Sequence, residues 1–462
     1  MTATTLPTPP ARPQRRRLFG SGANSEVSAA TEAELRELGV LAVFALRVFL
    51  VAAPTGMFYG LWEWGNGGIY QQMVYALPAF GALVIAPRRA MLRIPVSVSL
   101  ILLLGWMMLS YLWTIDEAQT SFQLRQQVSL CLAAVIAVGL LPLEETFKWF
   151  LRGVKLLLLI SLLATIFDSG TRVSIEFGSV LSAWEAWFPS KNNLGRFLVF
   201  AVAVILWIDK SFWSRVVWCS IAVGLAVGAN SATAVGALFL LAGFSFWISR
   251  YRKLGDEFTG VFTVVSLFVG LVGIITAFAA LAIIVEALGR DLTFTGRTDI
   301  WDGVLPLVED RLWYGYGHDA LWTLESPESR GLARAVGFPP AHAHNSVLNT
   351  LAGVGMPGLL LYFSLFISTL TASLRHLRTS PVAAWSLSFL MLIIVFGSVE
   401  AVFLTDWLPA LVMARVAVAK LSRERRARDE QEVTAVDLTR PDPDADAATR
   451  GYDPVGVIKP RF

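Results

Sequence analysis

Apolar runs recur along the chain at about 38–57, 69–87, 94–114, 124–142, 149–167, 194–209, 213–229, 231–249 and 261–288, and again at 346–371, 381–398 and 401–420. Each is near the ~20 residues that a helix needs to cross ~30 Å of hydrocarbon. The period-2 alternation of a lipid-facing barrel is absent, and unpaired backbone groups are prohibitive in lipid, so the spans are expected to be helical. The pattern predicts an all-α polytopic membrane protein with about 12 transmembrane helices and a large external loop between helices 9 and 10. It divides the chain into residues 1–36, a disordered basic tail; 37–422, a single transmembrane domain with long external loops at 168–193 and 289–345; and 423–462, a second disordered tail.

Composition agrees with that class. The 462 residues are 55% hydrophobic and 16% charged, too apolar for a soluble globule of this length. The net charge of +3 matters less than where the cations lie. Arg88, Arg89 and Arg93, Lys148, Arg152 and Lys155, Lys210 and Arg215, Arg250, Arg252 and Lys253, and Arg375 and Arg378 occupy alternate connections. They share a side with Arg15, Arg16 and Arg17 and with the cluster at 420–428, which puts both termini in the cytoplasm. Connections on the other side, such as 59–68 and 114–120, are nearly free of Lys and Arg. Arg47 lies within the first run and should face other helices or pair with a polar group. Cys131 and Cys219 fall in apolar runs and read as small buried hydrophobes.

Residues 295–358 break the apolar pattern and hold His318, His342 and His344, three of the four histidines. The two long external loops also carry Arg172, Lys191, Arg290, Arg297, Arg311, Arg330 and Arg334 on the side otherwise depleted of positive charge. Long loops translocate regardless of charge, which is one explanation; an anion site at the outer membrane face is the other, with Arg297 its best candidate.

The order Thr295-Gly296-Arg297, Trp301, Gly315-Tyr316-Gly317, His342-Ala343-His344-Asn345, Gly353-Val354-Gly355-Met356-Pro357-Gly358 resembles the signature of the O-antigen ligase/polymerase superfamily of bacterial envelope glycosyltransferases. Pro189-Ser190-Lys191-Asn192-Asn193-Leu194-Gly195 resembles the K-N-x-x-G element of exopolysaccharide polymerases in that superfamily. At Asn230-Ser231-Ala232-Thr233, many members carry S-R; Ala232 replaces the arginine, which leans toward the polymerase branch. The resemblance implies a GT-C-like fold and metal-independent, inverting transfer of a glycan from an undecaprenyl-diphosphate donor to a sugar hydroxyl. The reaction would take place at the outer face of the cytoplasmic membrane, without a cofactor.

That chemistry assigns expectations to residues. Arg297 offers a bidentate fork to phosphate, and His344 could accept the acceptor proton. Lys191 and Arg196 are available as a second phosphate cation, with Asn192 beside them. Asn345 could orient the imidazole or cap the following helix, capping being favoured. His342 reads as a loop histidine, and His318 as lining the cleft or satisfying a turn. Trp301, with Trp313, Tyr314, Tyr316 and Trp322, could stack on sugar rings or form an interfacial belt. His342 and His344 form a His-x-His pair, but no Cys or carboxylate cluster adjoins them, so no metal is expected. The expected partners are the lipid-linked glycan, membrane lipid, and a chain-length regulator and flippase; nucleic acid is not among them. The competing activities are ligation of the glycan to another acceptor and, with less support, transport of lipid-linked oligosaccharide or a noncatalytic scaffold. The lack of repeated halves and the scarcity of midplane ionisable groups count against transport.

Overall fold

The computed structural model describes residues 31–58, 70–167, 173–174, 183–186, 188, 190–255, 257–258, 260, 297–405 and 407–439. The expected ninth span, residues Arg172, Arg290, Thr295 and Gly296, and the chain ends 1–30 and 440–462 lie outside them. The described helices are α1 (Val40–Phe58), α2 (Tyr70–Ile85), α3 (Arg88–Leu92), α4 (Val98–Leu109), α5 (Glu117–Leu140), α6 (Leu143–Phe167), α7 (Lys191–Ile208), α8 (Phe212–Gly228) and α9 (Ala232–Tyr251), followed by α10 (Arg297–Asp310), α11 (Pro327–Val336), α12 (Ser346–His376), α13 (Pro381–Gly397) and α14 (Leu408–Thr439). A two-residue antiparallel ladder joins Val173–Ser174 to Ala183–Trp184.

Six of these helices are long and apolar enough to cross a membrane, at Val40–Met57, Glu117–Leu140, Leu143–Phe167, Lys191–Ile208, Ala232–Tyr251 and Ser346–His376; shorter apolar helices stand at the second, third, seventh and eleventh expected spans. Val40, Phe44, Val84, Phe239, Phe246 and Ile394 are exposed. So large an apolar exterior is what a bilayer covers. Arg47 is paired: its Nη2 donates to Glu145 Oε2 at 2.8 Å, and Glu145 also accepts from Lys148 Nζ at 2.8 Å and Trp149 Nε1 at 3.0 Å.

α12 organises the described fold, packing against α4, α10, α13 and α14. It is broken at Gly355, whose φ of 69° and ψ of −171° are non-helical. A break strands carbonyls that the next turn would otherwise engage. Here they are recovered from outside the helix: Tyr316 N–H donates to Ala352 O at 2.8 Å, Gly317 N–H to Gly353 O at 2.9 Å, and Trp106 Nε1–H to Val354 O at 2.8 Å. Met356 N–H returns the pairing by donating to Leu312 O at 2.8 Å. The 315–317 turn and the 353–358 glycine segment are therefore two sides of one backbone contact. A Cβ on Gly315, whose φ is +66°, would lie 2.6 Å from the Gly353 carbonyl.

Three expected boundaries move. The last span begins at Leu408 rather than near 401, because Ala401, Val402, Phe403 and Leu404 are buried in non-helical chain. Ser346 Oγ donates to Glu400 O and accepts Val402 N–H, both at 2.7 Å, and so holds that chain against the start of α12. The tail expected to be disordered from 423 continues α14 to Thr439. Its Arg-, Glu- and Ala-rich sequence favours helix, Arg425 lies 3.9 Å from Asp429 at i,i+4, and Arg423 Nη1 donates to Arg93 O at 2.8 Å. Residues 31–38, assigned mostly to the amino-terminal tail, are likewise helical.

Gly315→Ala should destabilise the detergent-purified protein by about 1–3 kcal/mol, because it combines left-handed backbone with a clash against backbone. Gly236→Ala in α9, where a Cβ meets nothing within 4 Å, should leave the thermal midpoint unchanged or raise it; a scanning-fluorimetry comparison of the two checks this.

Candidate active site

The 342–345 segment is positioned by hydrogen bonds on both flanks. Asn345 is the N-cap of α12, its Oδ1 accepting Val347 N–H at 2.9 Å and Leu348 N–H at 3.1 Å, so the capping expectation holds and its carbonyl oxygen is committed to the helix. Trp301 Nε1–H donates to Ala343 O at 2.8 Å, and Ala343 N–H donates to Asn349 Oδ1 at 3.2 Å. Trp301 thus ties α10 to the histidine segment through its indole nitrogen. His344 sits at φ 47°, a left-handed conformation that is costly for a residue with a Cβ. This turn brings the two imidazole centroids to 4.0 Å.

Both rings face Glu400, in the connection between α13 and α14. Its Oε2 is 3.5 Å from His342 Nε2 and 3.4 Å from His344 Nδ1. Its Oε1 is 3.3 Å from Asn192 Nδ2 and 3.8 Å from Arg297 Nη2. Arg297 opens α10, and Asn192 lies in the first turn of α7. Ser190 caps α7 by accepting Asn193 N–H at 3.3 Å. Arg196, one turn further in, is buried and donates to Asn193 Oδ1. Gly195 permits the close approach of α7 and α9, since a Cβ there would lie 2.8 Å from Ala234 Cβ and 3.2 Å from Ser231 Oγ. The K-N-x-x-G and N-S-x-T segments therefore meet in one helix crossing. Lys191 is half-buried and precedes Asn192.

Electrostatics follow from burial. Loss of water would raise the Glu400 carboxyl, but the His344 contact, Arg196 and the two imidazoles outweigh it and hold the group below the usual carboxylate range. Burial, His344 and the arginines Arg196 and Arg297 push His342 down to about 3, against the opposing pull of Glu400. His342 is therefore neutral near neutral pH.

The remaining expected residues separate. His318 is buried in the turn packed on α12, where its N–H donates to Ser110 Oγ at 3.1 Å and its carbonyl accepts from Thr120 Oγ1 at 3.0 Å. Burial pushes its imidazole down to about 4. Of the two readings of His318, this geometry matches the turn. Tyr316 is buried beneath the Arg311 guanidinium, 4.6 Å from its ring centroid, with its hydroxyl donating to Asp310 Oδ2 at 3.3 Å. Trp313 and Tyr314 stay exposed.

Glu400 is absent from the sequence-based expectations because it was absorbed into the boundary of an apolar span. The available signal was a lone acid between two membrane-length apolar runs, which is itself a mark of function. Its presence also alters the ground on which no metal was expected. Ligand atoms of His342, His344 and Glu400 lie within 4.8 Å of one another, a spacing that a divalent cation could bridge. Arg297 and Arg196 oppose such an ion by surrounding the carboxylate with fixed positive charge.

Residues 216–363 match the family model described as O-Antigen ligase. The chain is also 24% identical over 333 residues to the exopolysaccharide production protein ExoQ of Rhizobium meliloti (strain 1021), covering 68% of this chain and 74% of the relative. The family match includes Arg297, His342 and His344 and excludes Asn192, Arg196 and Glu400.

The acid response of the fold should be dominated at first by His342. Its folded pKa of about 3 lies below the ordinary histidine value of 6.5, so the unfolded chain binds the extra proton as pH falls below 6.5, and stability declines toward pH 3. Glu400, also depressed from 4.5, adds loss in the same direction only below its unfolded value. The thermal midpoint of the wild type should therefore fall between pH 6.5 and 4.5, and His342→Asn should flatten that decline. A parallel slope in the variant would contradict the assignment.

Proposed function

We propose, from the match of residues 216–363 to the O-Antigen ligase family model and the similarity to ExoQ, that the chain is a member of the O-antigen ligase/polymerase-like family and polymerises undecaprenyl-diphosphate-linked oligosaccharide repeat units into a surface polysaccharide. In this reading it is a multi-pass protein of the cytoplasmic membrane with both termini inside and its site at the outer face. The observation that carries the proposal is the convergence of the Arg297 guanidinium and the His342 and His344 imidazoles on one buried carboxylate.

Transfer to a hydroxyl needs a base for the acceptor proton and cations for the leaving diphosphate, and this arrangement offers both. The acceptor oxygen forms a bond to the anomeric carbon as the bond from that carbon to the diphosphate oxygen breaks. His344 takes the hydroxyl proton, and the electron pair of the broken bond leaves with the lipid diphosphate. Arg297, supported by Arg196, stabilises the charge that develops there; preorganised guanidinium dipoles do this without reorganisation cost. Attack opposite the leaving group inverts the anomeric centre. Asn192 reaches Glu400 from the first turn of α7, and the half-buried Lys191 precedes it in the chain. Ligation to a different acceptor uses the same donor chemistry, and the family description favours it as the second reading; the relative's role in exopolysaccharide production favours polymerisation.

Reconstituted protein supplied only with lipid-linked repeat units should yield lipid-linked chains of increasing length. Absence of elongation, with transfer appearing only when a second acceptor is added, would select ligation. His344→Ala should lose about 10²–10⁴-fold in turnover, and Arg297→Lys should lose most activity because one point charge cannot replace the fork. His342→Ala should be milder. A chelator should leave the wild-type rate intact; loss on chelation restored by zinc would replace the base mechanism with a metal-bound one.

Orientation is tested in intact cells lacking native cysteines. Ala335→Cys, on the exposed surface of the outer loop, should react with an impermeant maleimide, and Arg89→Cys should be protected. The reverse pattern would overturn the assigned sidedness.

A further inference from the structure

We propose that Glu400 is the positioning residue of the site: it fixes His344 in the tautomer protonated on Nδ1 and thereby leaves the Nε2 lone pair to accept a proton. This rests on the reading of His344 as the base and adds a residue that neither comparison assigns. A neutral imidazole has one donor nitrogen and one acceptor nitrogen. His342 Nδ1 accepts the backbone N–H of His344 at 3.1 Å, so its proton resides on Nε2, the nitrogen 3.5 Å from Glu400.

His344 is constrained differently. Its Nδ1 is buried and has no formed hydrogen bond, and the acceptor facing it is Glu400 Oε2 at 3.4 Å. An unprotonated Nδ1 would set a nitrogen lone pair against a carboxylate in a site of low dielectric, which is unfavourable on both sides. Protonation of Nδ1 turns that repulsion into a charge-assisted contact. The separation is longer than a formed bond, as catalytic contacts often are before substrate closes on them. Because 28% of the His344 side chain remains exposed while Nδ1 is buried, the open part of the ring lies elsewhere than Nδ1.

The carboxylate is itself held. Oε1 faces Asn192 Nδ2 and the Arg297 guanidinium, and the Glu400 backbone is pinned to Ser346. The group is 4% exposed. Glu400 presents Oε2 to both imidazoles, 3.5 Å from His342 Nε2 and 3.4 Å from His344 Nδ1, while Oε1 takes the Asn192 and Arg297 contacts. Loss of the negative charge in Glu400→Gln would let the amide donate to His344 Nδ1 and favour the wrong tautomer, as amide replacement of a histidine-orienting carboxylate does elsewhere.

The test reads the tautomer directly. The four histidines make the full-length protein tractable for ¹⁵N-histidine NMR in nanodiscs, with the His344 signals assigned by their loss in His344→Gln. In the wild type, Nδ1 of His344 should be protonated and Nε2 not. Glu400→Gln should move the population toward Nε2–H and lower kcat by about 10²–10⁴-fold with KM within about threefold. Glu400→Asp should retain the wild-type tautomer and recover part of the rate, a pattern that a merely structural carboxylate would not produce.

An Nε2–H tautomer in the wild type, or an unchanged tautomer and kcat in Glu400→Gln, would overturn the proposal. If His344→Ala keeps full activity while the Nδ1–H tautomer is present and depends on Glu400, the positioning geometry stands and the base reading fails; the two are thus separable.

Discussion

A carboxylate buried among apolar helices is tolerated only if its charge is matched, and the Glu400 site is the solution to that problem. Three segments supply the match to the α13–α14 connection that carries Glu400: the first two turns of α7 through Asn192 and Arg196, the start of α10 through Arg297, and the 342–344 turn through two imidazoles. None of these groups is close to another of a different segment in the chain. The ends of helices are brought to one point, where their polar side chains face one buried carboxylate. Such convergence is costly to build and leaves the groups prealigned, which is the condition under which electrostatic catalysis is effective.

The break in α12 serves the same point from below. A straight helix would carry its apolar face past the 315–317 turn, whereas the reversal at Gly355 leaves three carbonyls that accept from Tyr316, Gly317 and Trp106. Irregular backbone at this depth is stable only when protein groups replace water. The turn, the indole and the glycine segment meet that requirement together. The amino-terminal part of α12 then runs from Asn345 to the break, and its cap sets the orientation of the residue immediately before it, His344.

Much of this was legible in the chain and some was not, for definable reasons. Long apolar runs reveal helices because hydrocarbon thickness fixes their length, and eleven of the expected spans fall on described helices. Arg297 is conspicuous as a cation beside the end of an apolar run on the side depleted of positive charge, whereas His344, Asn192 and Arg196 are singled out by the motif resemblance and the chemistry it implies. Asn345 announced itself as a cap by type and position. The start of α14 was misplaced because hydropathy cannot distinguish buried irregular chain from helix, and residues 401–404 are as apolar as a span. The same blindness concealed Glu400, whose role depends on being opposite His344 in space. Helix continues beyond 423 to Thr439 although the acidic, Pro/Asp/Ala-rich stretch after Arg428 reads as a disordered tail, because the Arg, Glu and Ala residues before that stretch prefer helix.

What unites these features is a site whose positive and proton-accepting groups are arranged around an anion that belongs to the protein. A lipid diphosphate would enter beside that internal anion and engage the guanidinium groups that already face it, while the acceptor hydroxyl would approach the imidazole. The most direct measurement is a structure of the nanodisc-embedded protein with a phosphonate analogue of an undecaprenyl-diphosphate-linked sugar. The account predicts the diphosphate at Arg297 and Arg196, with the anomeric carbon within reach of a hydroxyl bound to His344. A headgroup seated instead against Arg330 and Arg334 on the exposed surface of the outer loop, with the Glu400 cluster unengaged, would contradict it.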